Sequence, residues 1–411
     1  MDSVNGIGDN ECLVDSMPDN VLDVIFRHVG GSKHALLASS RRFREVARWG
    51  IVLATTQAGR SSTVDLSRLV TTFPHLHALD VTWNQKMVVD VTPVGTLRRL
   101  RTLNLEGNSV TDFTPLASLS MLESLNIAWT GVSDMASLVA LGKTLTRLDI
   151  SGNRVMDMSQ LSSLVALTEL KMAANMSLDD DASPLATLTA LRMLDISHTA
   201  IVRLPNLPSL ISLVANDCIP STAMASTLTD LDLGFTHASD SAPIAASMPD
   251  LQGLRIRCTA ICDLSRLKTL RRLTVLTVCS TPDDHVLRSI AALTVLTALT
   301  VMRTSGDELL MLPVQLPSIR RFALVCGQIT GASLLQMPHL TVLHLDWQLQ
   351  LPLGLSGMTS LEELRLHSLR STDLSPLSTL TRLRRLDMQR CVHADLSQLG
   401  MLTGLELTVA P

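Results

Sequence analysis

The nine residues Leu100-Arg-Thr-Leu-Asn-Leu-Glu-Gly-Asn108 follow the pattern L-x-x-L-x-L-x-x-N, and this pattern decides the fold. It returns as Leu145-Thr-Arg-Leu-Asp-Ile-Ser-Gly-Asn153 and as Leu167-Thr-Glu-Leu-Lys-Met-Ala-Ala-Asn175. Some sixteen units share it at a period of about 22 residues. They begin at Leu76, Leu100, Leu122, Leu145, Leu167, Leu191, Leu210, Leu228, Leu251, Leu273, Leu296, Ile319, Leu340, Leu361, Leu383 and Leu402.

Each position of the nine, counted from the first Leu, has a physical task. Side chains of a strand alternate, so positions 4 and 6 point into a core, whereas positions 3, 5 and 7 point out of it. An Asn at position 9 turns the chain and bonds backbone groups with its amide. Position 8 lies at the end of the strand and is also expected to face outward. We expect Asn108 and Asn153 to be buried and bonded to backbone.

These repeats resemble the leucine-rich-repeat family over the chain from about Leu76 to its end. Back halves such as Val110-Thr-Asp-Phe-Thr-Pro-Leu116 and Asp373-Leu-Ser-Pro-Leu377 are similar to the short class found in phosphatase-regulatory proteins and bacterial internalins. The resemblance implies an α/β repeat fold: one curved solenoid with a parallel sheet on its concave side. We expect 3₁₀ or single helical turns in the back halves, longer helices only near the N-terminus, and irregular convex loops at Pro205–Pro208 and Ile219–Ser226.

The residues before the array follow another pattern. Met17-Pro-Asp19 opens an apolar helical stripe that includes Val21, Leu22 and Ile25, and a second stripe ends at Arg41-Arg-Phe-Arg44. This stretch resembles an F-box, although its Gly30-Gly31 connection is about one residue short and Ser39-Ser40 precedes the basic pair. The alternative is a helical cap that shields the first repeat, as solenoids require. We divide the chain into a disordered N-terminus over 1–12, an F-box-like helical segment over 13–50, a capping half repeat over 51–75 and the repeat array over 76–411.

Composition narrows the function. Hydrophobic residues make up 46 % of the chain and aromatic residues 2 %, with no Tyr. The hydrophobic residues are evenly spaced, so no apolar run reaches the length of a membrane span. A net charge of −4 argues against a nucleic-acid ligand. An odd number of Cys at irregular spacing, together with an N-terminus unlike a signal peptide, predicts an intracellular protein, cytoplasmic or alternatively nuclear. We find no catalytic motif, metal-ligand spacing or nucleotide loop, so we expect neither enzymatic activity nor a cofactor.

Candidate binding residues fall at two outward positions. Position 8 holds aromatic side chains in several repeats, and aromatic residues are enriched at interface hot spots; they are Trp83, Trp129, Phe235 and Trp347. Trp129 is the strongest candidate because Asn126, Ala128 and Ser151 are small. Charged side chains form an acidic run that includes Asp149 and Asp195 and is interrupted by Arg255 and Arg257 at positions 5 and 7. An acidic first half and a basic later half would orient a partner.

An F-box followed by leucine-rich repeats is similar to the substrate receptors of Skp–cullin–F-box ubiquitin ligases. That resemblance implies a Skp-type adaptor bound through Pro18, Val21, Leu22 and Ile25, and a protein substrate held on the concave face. It also implies a chain that is monomeric outside the complex. The alternatives are a plain or phosphatase-regulator-like scaffold, and a host-interaction protein, in both of which the N-terminal helices are only a cap.

Overall fold

The computed structural model describes residues 51–52, 66–82, 88, 90–110, 112–201, 203–217, 227–234, 241–257, 264–279, 284–302, 309–312, 315–348, 350–391, 396–400, 402 and 404–410. The segments 1–12 and 13–50, with the F-box-like residues, lie outside that range. The chain divides into two compact units, Met1–Leu210 and Ile211–Pro411.

The first unit is a parallel sheet of short strands. Neighbouring strands pair in chain order, so each repeat adds one strand beside the last. The strands are β1 (Ile51–Val52), β2 (Ala78–Asp80), β3 (Thr102–Asn104), β4 (Ser124–Asn126), β5 (Arg147–Asp149), β6 (Glu169–Lys171) and β7 (Met193–Asp195). Their register joins equal positions of successive repeats, such as Leu103 with Leu125. The segment 51–75, interpreted from sequence as a capping half repeat, contributes β1, which pairs with β2.

The second unit has the same plan with longer strands. The strands are β8 (Ser212–Val214), β9 (Asp230–Asp232), β10 (Gly253–Ile256), β11 (Val275–Cys279), β12 (Ala298–Met302), β14 (Arg321–Val325), β16 (Val342–Asp346), β17 (Glu363–His367), β18 (Arg385–Gln389) and β19 (Glu406–Ala410). They too pair in parallel in chain order. A separate pair is formed by β13 (Leu309–Leu310) and β15 (Gln328–Ile329). Since Glu406 pairs with Arg385, the last repeat begins at Gly404 and not at Leu402.

The back halves confirm the expected 3₁₀ turns. These turns are η1 (Thr92–Thr96), η2 (Thr114–Ser118), η3 (Ala136–Leu141), η4 (Ser159–Ser163), η5 (Ser183–Thr187), η6 (Ser265–Thr269), η7 (Leu353–Gly357), η8 (Ser375–Leu377) and η9 (Leu396–Leu399). The expectation of longer helices only near the N-terminus is wrong. Beside α1 (Leu66–Thr72), the second unit contains α2 (Ala242–Ser247), α3 (Asp284–Ala291) and α4 (Gly331–Leu334). In α4 the Thr330 hydroxyl caps the helix by accepting a hydrogen bond from the backbone N–H of Ser333 at 3.0 Å.

An Asp two residues before the 3₁₀ turn fixes the start of several back halves. The Asp112 carboxylate accepts a hydrogen bond from the backbone N–H of Thr114 at 2.8 Å, and Asp157 accepts one from Ser159 at 2.7 Å. Side-chain and backbone hydrogen bonds from Thr114 lower the pKa of Asp112, and bonds from Ser159 lower the pKa of Asp157. The motif Asp-x-Ser/Thr therefore ends one turn and begins the next.

Leucines at positions 1, 4 and 6 form the core of both units. Leu100, Leu103 and Leu105 are completely buried. Within the described part of the chain, no helix is both long and apolar enough to span a bilayer.

The Asn at position 9 binds neighbouring repeats together, as the pattern predicts. Asn153 is 6 % exposed, and its amide N–H groups donate to the carbonyls of Ile127 (2.8 Å) and Ile150 (2.9 Å). Its carbonyl oxygen accepts from the backbone N–H groups of Gly131 and Val132. One amide thereby satisfies backbone groups on two coils that would otherwise be buried without partners.

Candidate binding face of the repeats

Position 8 has a left-handed backbone in both units. Positive φ angles recur at this position in Gly107, Trp129, Gly152, Ala174, His198, Asp217, Cys326, Trp347, Ser368 and Arg390. The N–H group of position 8 donates to the carbonyl of position 7 in the next repeat, as from Trp129 to Ser151 at 2.8 Å and from Trp347 to His367 at 2.9 Å. Glycine is the residue that adopts this conformation without strain. A Trp here costs free energy locally, and the inter-repeat hydrogen bond holds it in place.

Trp129 lies across the turn of the following repeat. Its side chain is 54 % exposed, and a methyl group placed on Gly152 would come within 2.7 Å of three carbons of its indole. The indole therefore rests on the Gly152 backbone with one face covered. The small residues Asn126, Ala128 and Ser151 do not account for the accessibility of Trp129, because Ala128 is buried and the indole lies on Gly152. The signal was present as a Gly at the same position 8, one repeat later.

The other position-8 aromatics have different outcomes. Trp347 is 51 % exposed and has the same left-handed backbone as Trp129. Its carbonyl accepts a hydrogen bond from the Gln328 side chain at 2.6 Å. Trp83 and Phe235 lie outside the described residues. Among the described residues, the register therefore brings Trp129 to the strand ends of the first unit and Trp347 to those of the second.

The Asp residues of the acidic run at position 5 also have a structural role, which their charge does not indicate. The Asp149 carboxylate accepts from the N–H of Ser151, and Asp195 accepts from Ser197, both at 2.9 Å. Asn126 makes the same bond to Ala128 with a neutral amide. Position 5 in the first unit therefore selects Asp or Asn to form an Asx turn that ends the strand.

Arg255 and Arg257 are ion-paired across neighbouring strands. Arg255 binds Asp230 at 2.7 Å, and Arg257 binds Asp232 at 2.8 Å. Both pairs are diagonal, because the register sets Arg255 beside Asp232 and each Arg reaches back to the Asp two positions earlier on β9. The two arginines therefore neutralise an acidic neighbour and do not make a free basic patch.

The outward positions 3, 5 and 7 of the strands differ in charge between the units. In the first unit, five acids stand against Arg147 and Lys171; the acids are Asp80, Glu106, Asp149, Glu169 and Asp195. In the second unit, six acids stand against five arginines within the described strands. Four of those arginines are paired with acids on the same face. The first unit is acidic, as expected, but the second does not present the expected basic face.

A histidine pair in the second unit was not anticipated. The rings of His344 and His367 meet edge to face with their centroids 4.7 Å apart. The Nε2 atoms of both rings are buried without a hydrogen-bond partner. Burial lowers the pKa of His344, and the adjacent His367 and Arg365 also lower it, against the opposing charges of Asp346 and Asp387. Scattered His residues gave no signal in the sequence because the two lie one repeat apart at different positions.

The structure does not assemble a metal centre from the residues it describes, since no group of three or more His, Cys, Asp or Glu within them has suitable geometry. The expected adaptor residues Pro18, Val21, Leu22 and Ile25 lie outside those residues. The adaptor surface therefore remains a prediction from sequence.

Comparisons with known proteins bear on the fold. No family model and no curated protein matches the chain. Among solved structures, TLR13 in its complex with ssRNA13 has a TM-score of 0.58 at 16 % identity, over 83 % of this chain and 60 % of that chain. An internalin of Listeria monocytogenes has a TM-score of 0.47 at 22 % identity, over 86 % of this chain and 91 % of that one. A leucine-rich-repeat protein of Leptospira interrogans has a TM-score of 0.45 at 19 % identity, over 83 % and 86 %. This chain forms parallel sheets with one strand per repeat. Together with the likeness to TLR13, these sheets give the chain a leucine-rich-repeat fold.

Proposed function

We propose that this chain is a non-enzymatic scaffold that binds another protein on the strand face of its repeats, defined as positions 3, 5, 7 and 8. The observation that carries the proposal is Trp129, an exposed indole held in a left-handed turn and laid on Gly152. Burying that exposed surface against a partner gains free energy, whereas leaving it in water gains nothing.

The hydrogen bonding around Trp129 supports a rigid binding surface. The strand ends beside it are fixed by Asx turns and by the ladder from position 8 to position 7. A side chain ordered before binding loses little conformational entropy when a partner arrives. An exposed Trp on a backbone held by hydrogen bonds is therefore a favourable anchor.

A more specific proposal follows from residues 17–46, which resemble an F-box. In that proposal the chain is the substrate receptor of a Skp–cullin–F-box ubiquitin ligase, and the strand face raises the local concentration of its substrate. It rests on sequence alone. The alternative is a scaffold whose N-terminal segment serves only as a cap.

The strand-face proposal is tested with partners captured by affinity purification from the native cell and then purified individually. Trp129→Ala should weaken binding of such a partner about thirtyfold, as truncation of a hot-spot anchor does. Asn206→Ala, an exposed change in the loop between the repeats at Leu191 and Leu210, is the control and should bind like wild type. If Trp129→Ala binds the partner like wild type and Asn206→Ala loses binding, the binding site lies on the loops and not on the strand face.

The adaptor proposal needs a separate measurement. A Skp-type adaptor should bind the full chain and lose affinity when Pro18 and Val21 are both changed to Ala. Unchanged adaptor binding after deletion of residues 1–31, with the repeats still folded by circular dichroism, would eliminate the F-box role. The strand-face proposal would be unaffected by that result.

A further inference from the structure

The surface next to Trp129 is a shallow shelf of small residues. We use the term Trp129 shelf for Trp129, Gly152 and Ala174, which occupy position 8 in three consecutive repeats. Ala173 lies beside Ala174 at position 7, and His198 is exposed at position 8 of the next repeat. Adjacent parallel strands are about 4.8 Å apart, so the shelf together with His198 spans some 14 Å. The indole covers Gly152, and the small residues Ala173 and Ala174 beside it leave room for an extended peptide segment.

Acidic residues outnumber basic residues around the shelf. Five acids stand against two bases at positions 3, 5 and 7 of the first unit. Lys171, one of those bases, is already paired with Glu169 at 3.2 Å. At position 2, Arg101 is paired with Glu123. The net field over this face therefore favours a positively charged partner.

Asp149 carries one of these charges in the repeat on which the Trp129 indole rests. Its Oδ1 accepts from the N–H of Ser151, which immediately precedes Gly152 under the indole. A carboxylate and an exposed indole face consequently lie on adjoining turns. Aromatic faces attract Lys and Arg side chains, and the attraction is strongest for Trp.

Resting on the proposed protein-binding function, we propose that the Trp129 shelf binds a basic peptide segment of the partner. A Lys or Arg side chain lies on the free face of the Trp129 indole, and Asp149 supplies the opposing charge. Other acids of the first unit attract the flanking basic residues. Arg154 is exposed on the coil that follows Gly152 and repels the same segment.

The probe is a displayed library of random short peptides, selected on the full chain. Selected peptides should be enriched in Lys and Arg, and their affinity should fall as salt rises. Enrichment of acidic or uncharged peptides would overturn the proposal, and so would a failure to select any peptide. A single-stranded RNA oligonucleotide measured in parallel should not compete; competition at the shelf would indicate nucleic acid as the occupant.

Three variants locate the bound peptide. Trp129→Ala should weaken a selected basic peptide about thirtyfold. Asp149→Asn should weaken it several-fold at low salt and less at high salt, since Asn keeps the Asx turn and removes only the charge. Arg154→Ser should strengthen it. Equal affinity of Trp129→Ala and wild type would place the basic peptide elsewhere.

Two glycines give a matched control for the position of the indole. Gly152 and Gly131 both have left-handed φ angles, so Ala introduces similar strain at each. A methyl group on Gly152 displaces Trp129, whereas one on Gly131 meets nothing within 4 Å. Gly152→Ala should therefore weaken the peptide at least tenfold more than Gly131→Ala does. Equal effects of the two changes would contradict the shelf.

Failure of this inference is separable from failure of the proposed function. If a captured protein partner depends on Trp129 but the selected peptides are not basic, the scaffold function is supported and the basic-peptide proposal is rejected. A captured partner insensitive to Trp129→Ala removes both.

Discussion

The two units build the same repeat but end their strands differently. In the first unit β2 to β7 have three residues each, whereas in the second unit β11, β12, β14 and β16 to β19 have five. Asp or Asn at position 5 accepts the N–H of position 7 in most of the short strands. The long strands have Thr277, Thr300, Ala323, His344, Arg365, Asp387 and Thr408 there, and Asp387 accepts from the Gln389 side chain instead. A backbone N–H captured by a side chain cannot extend the ladder, so the Asx turn shortens the strand.

Two short strands show that the neighbour matters as well as the residue. β6 has Lys171 at position 5 and β8 has Val214, yet both end there. Each is paired with a strand that an Asx turn has already ended, namely β5, β7 or β9. A strand extends only where the next coil offers a partner, so its length is shared between repeats.

The largest effect should come from the Asn at position 9, which no repeat of the second unit has and in whose place one late repeat has Cys391. Asn153→Ala should lower the free energy of unfolding by about 3 kcal/mol, because buried backbone groups on two coils lose their partners. Cys391 makes only weak contacts, through Sγ to the carbonyls of Leu366 (3.4 Å) and Gln389 (3.5 Å). Cys391→Ala should cost under about 1 kcal/mol in the same urea titration. Equal costs would show that the amide ladder is dispensable.

The next effect tests the Asx turn with one residue type in both units. Asp195→Ala should cost about 1 kcal/mol because the N–H of Ser197 loses its acceptor. Asp387 occupies position 5 of a five-residue strand and accepts only from the Gln389 side chain. Asp387→Ala should therefore change stability little, and Asp195→Asn should restore the first unit. A larger loss from Asp387→Ala than from Asp195→Ala would reject the explanation of strand length.

The smallest effect is a dependence on pH, specific to the second unit. Burial lowers the pKa of His344 from its ordinary value of 6.5, so the unfolded chain takes up the proton first. Stability from the neutral ring is fully present above that value and is lost as pH falls from it toward the lower folded pKa. Urea unfolding between about pH 7.5 and 5.5 should show the loss, and His344→Gln should reduce it. An NMR titration that finds His344 protonating above its ordinary pKa would reverse the sign.

Much of the fold was readable from the sequence. Repeat starts, the burial of Asn153, the 3₁₀ back halves and the outward direction of positions 3, 5 and 7 all follow from local pattern. Periodicity reports which side of its own strand a side chain occupies, and each repeat carries that information within about 22 residues. The errors were also local: the pattern placed the last repeat at Leu402 rather than Gly404 and did not predict a helix as long as α3 in the second unit.

The candidate site depended more on the tertiary structure. Sequence alone determined that Trp129, Asp149 and Arg255 occupy outward positions of their repeats, Trp129 at position 8 and the other two at position 5. Only the stacking of one repeat on the next decided that Trp129 rests on Gly152 and that Arg255 is neutralised by Asp230. Residues more than twenty positions apart make those contacts, and their energies depend on which side chains the neighbouring repeat places within reach. A pattern read along one repeat cannot contain them, because parallel pairing creates the contact by joining two repeats.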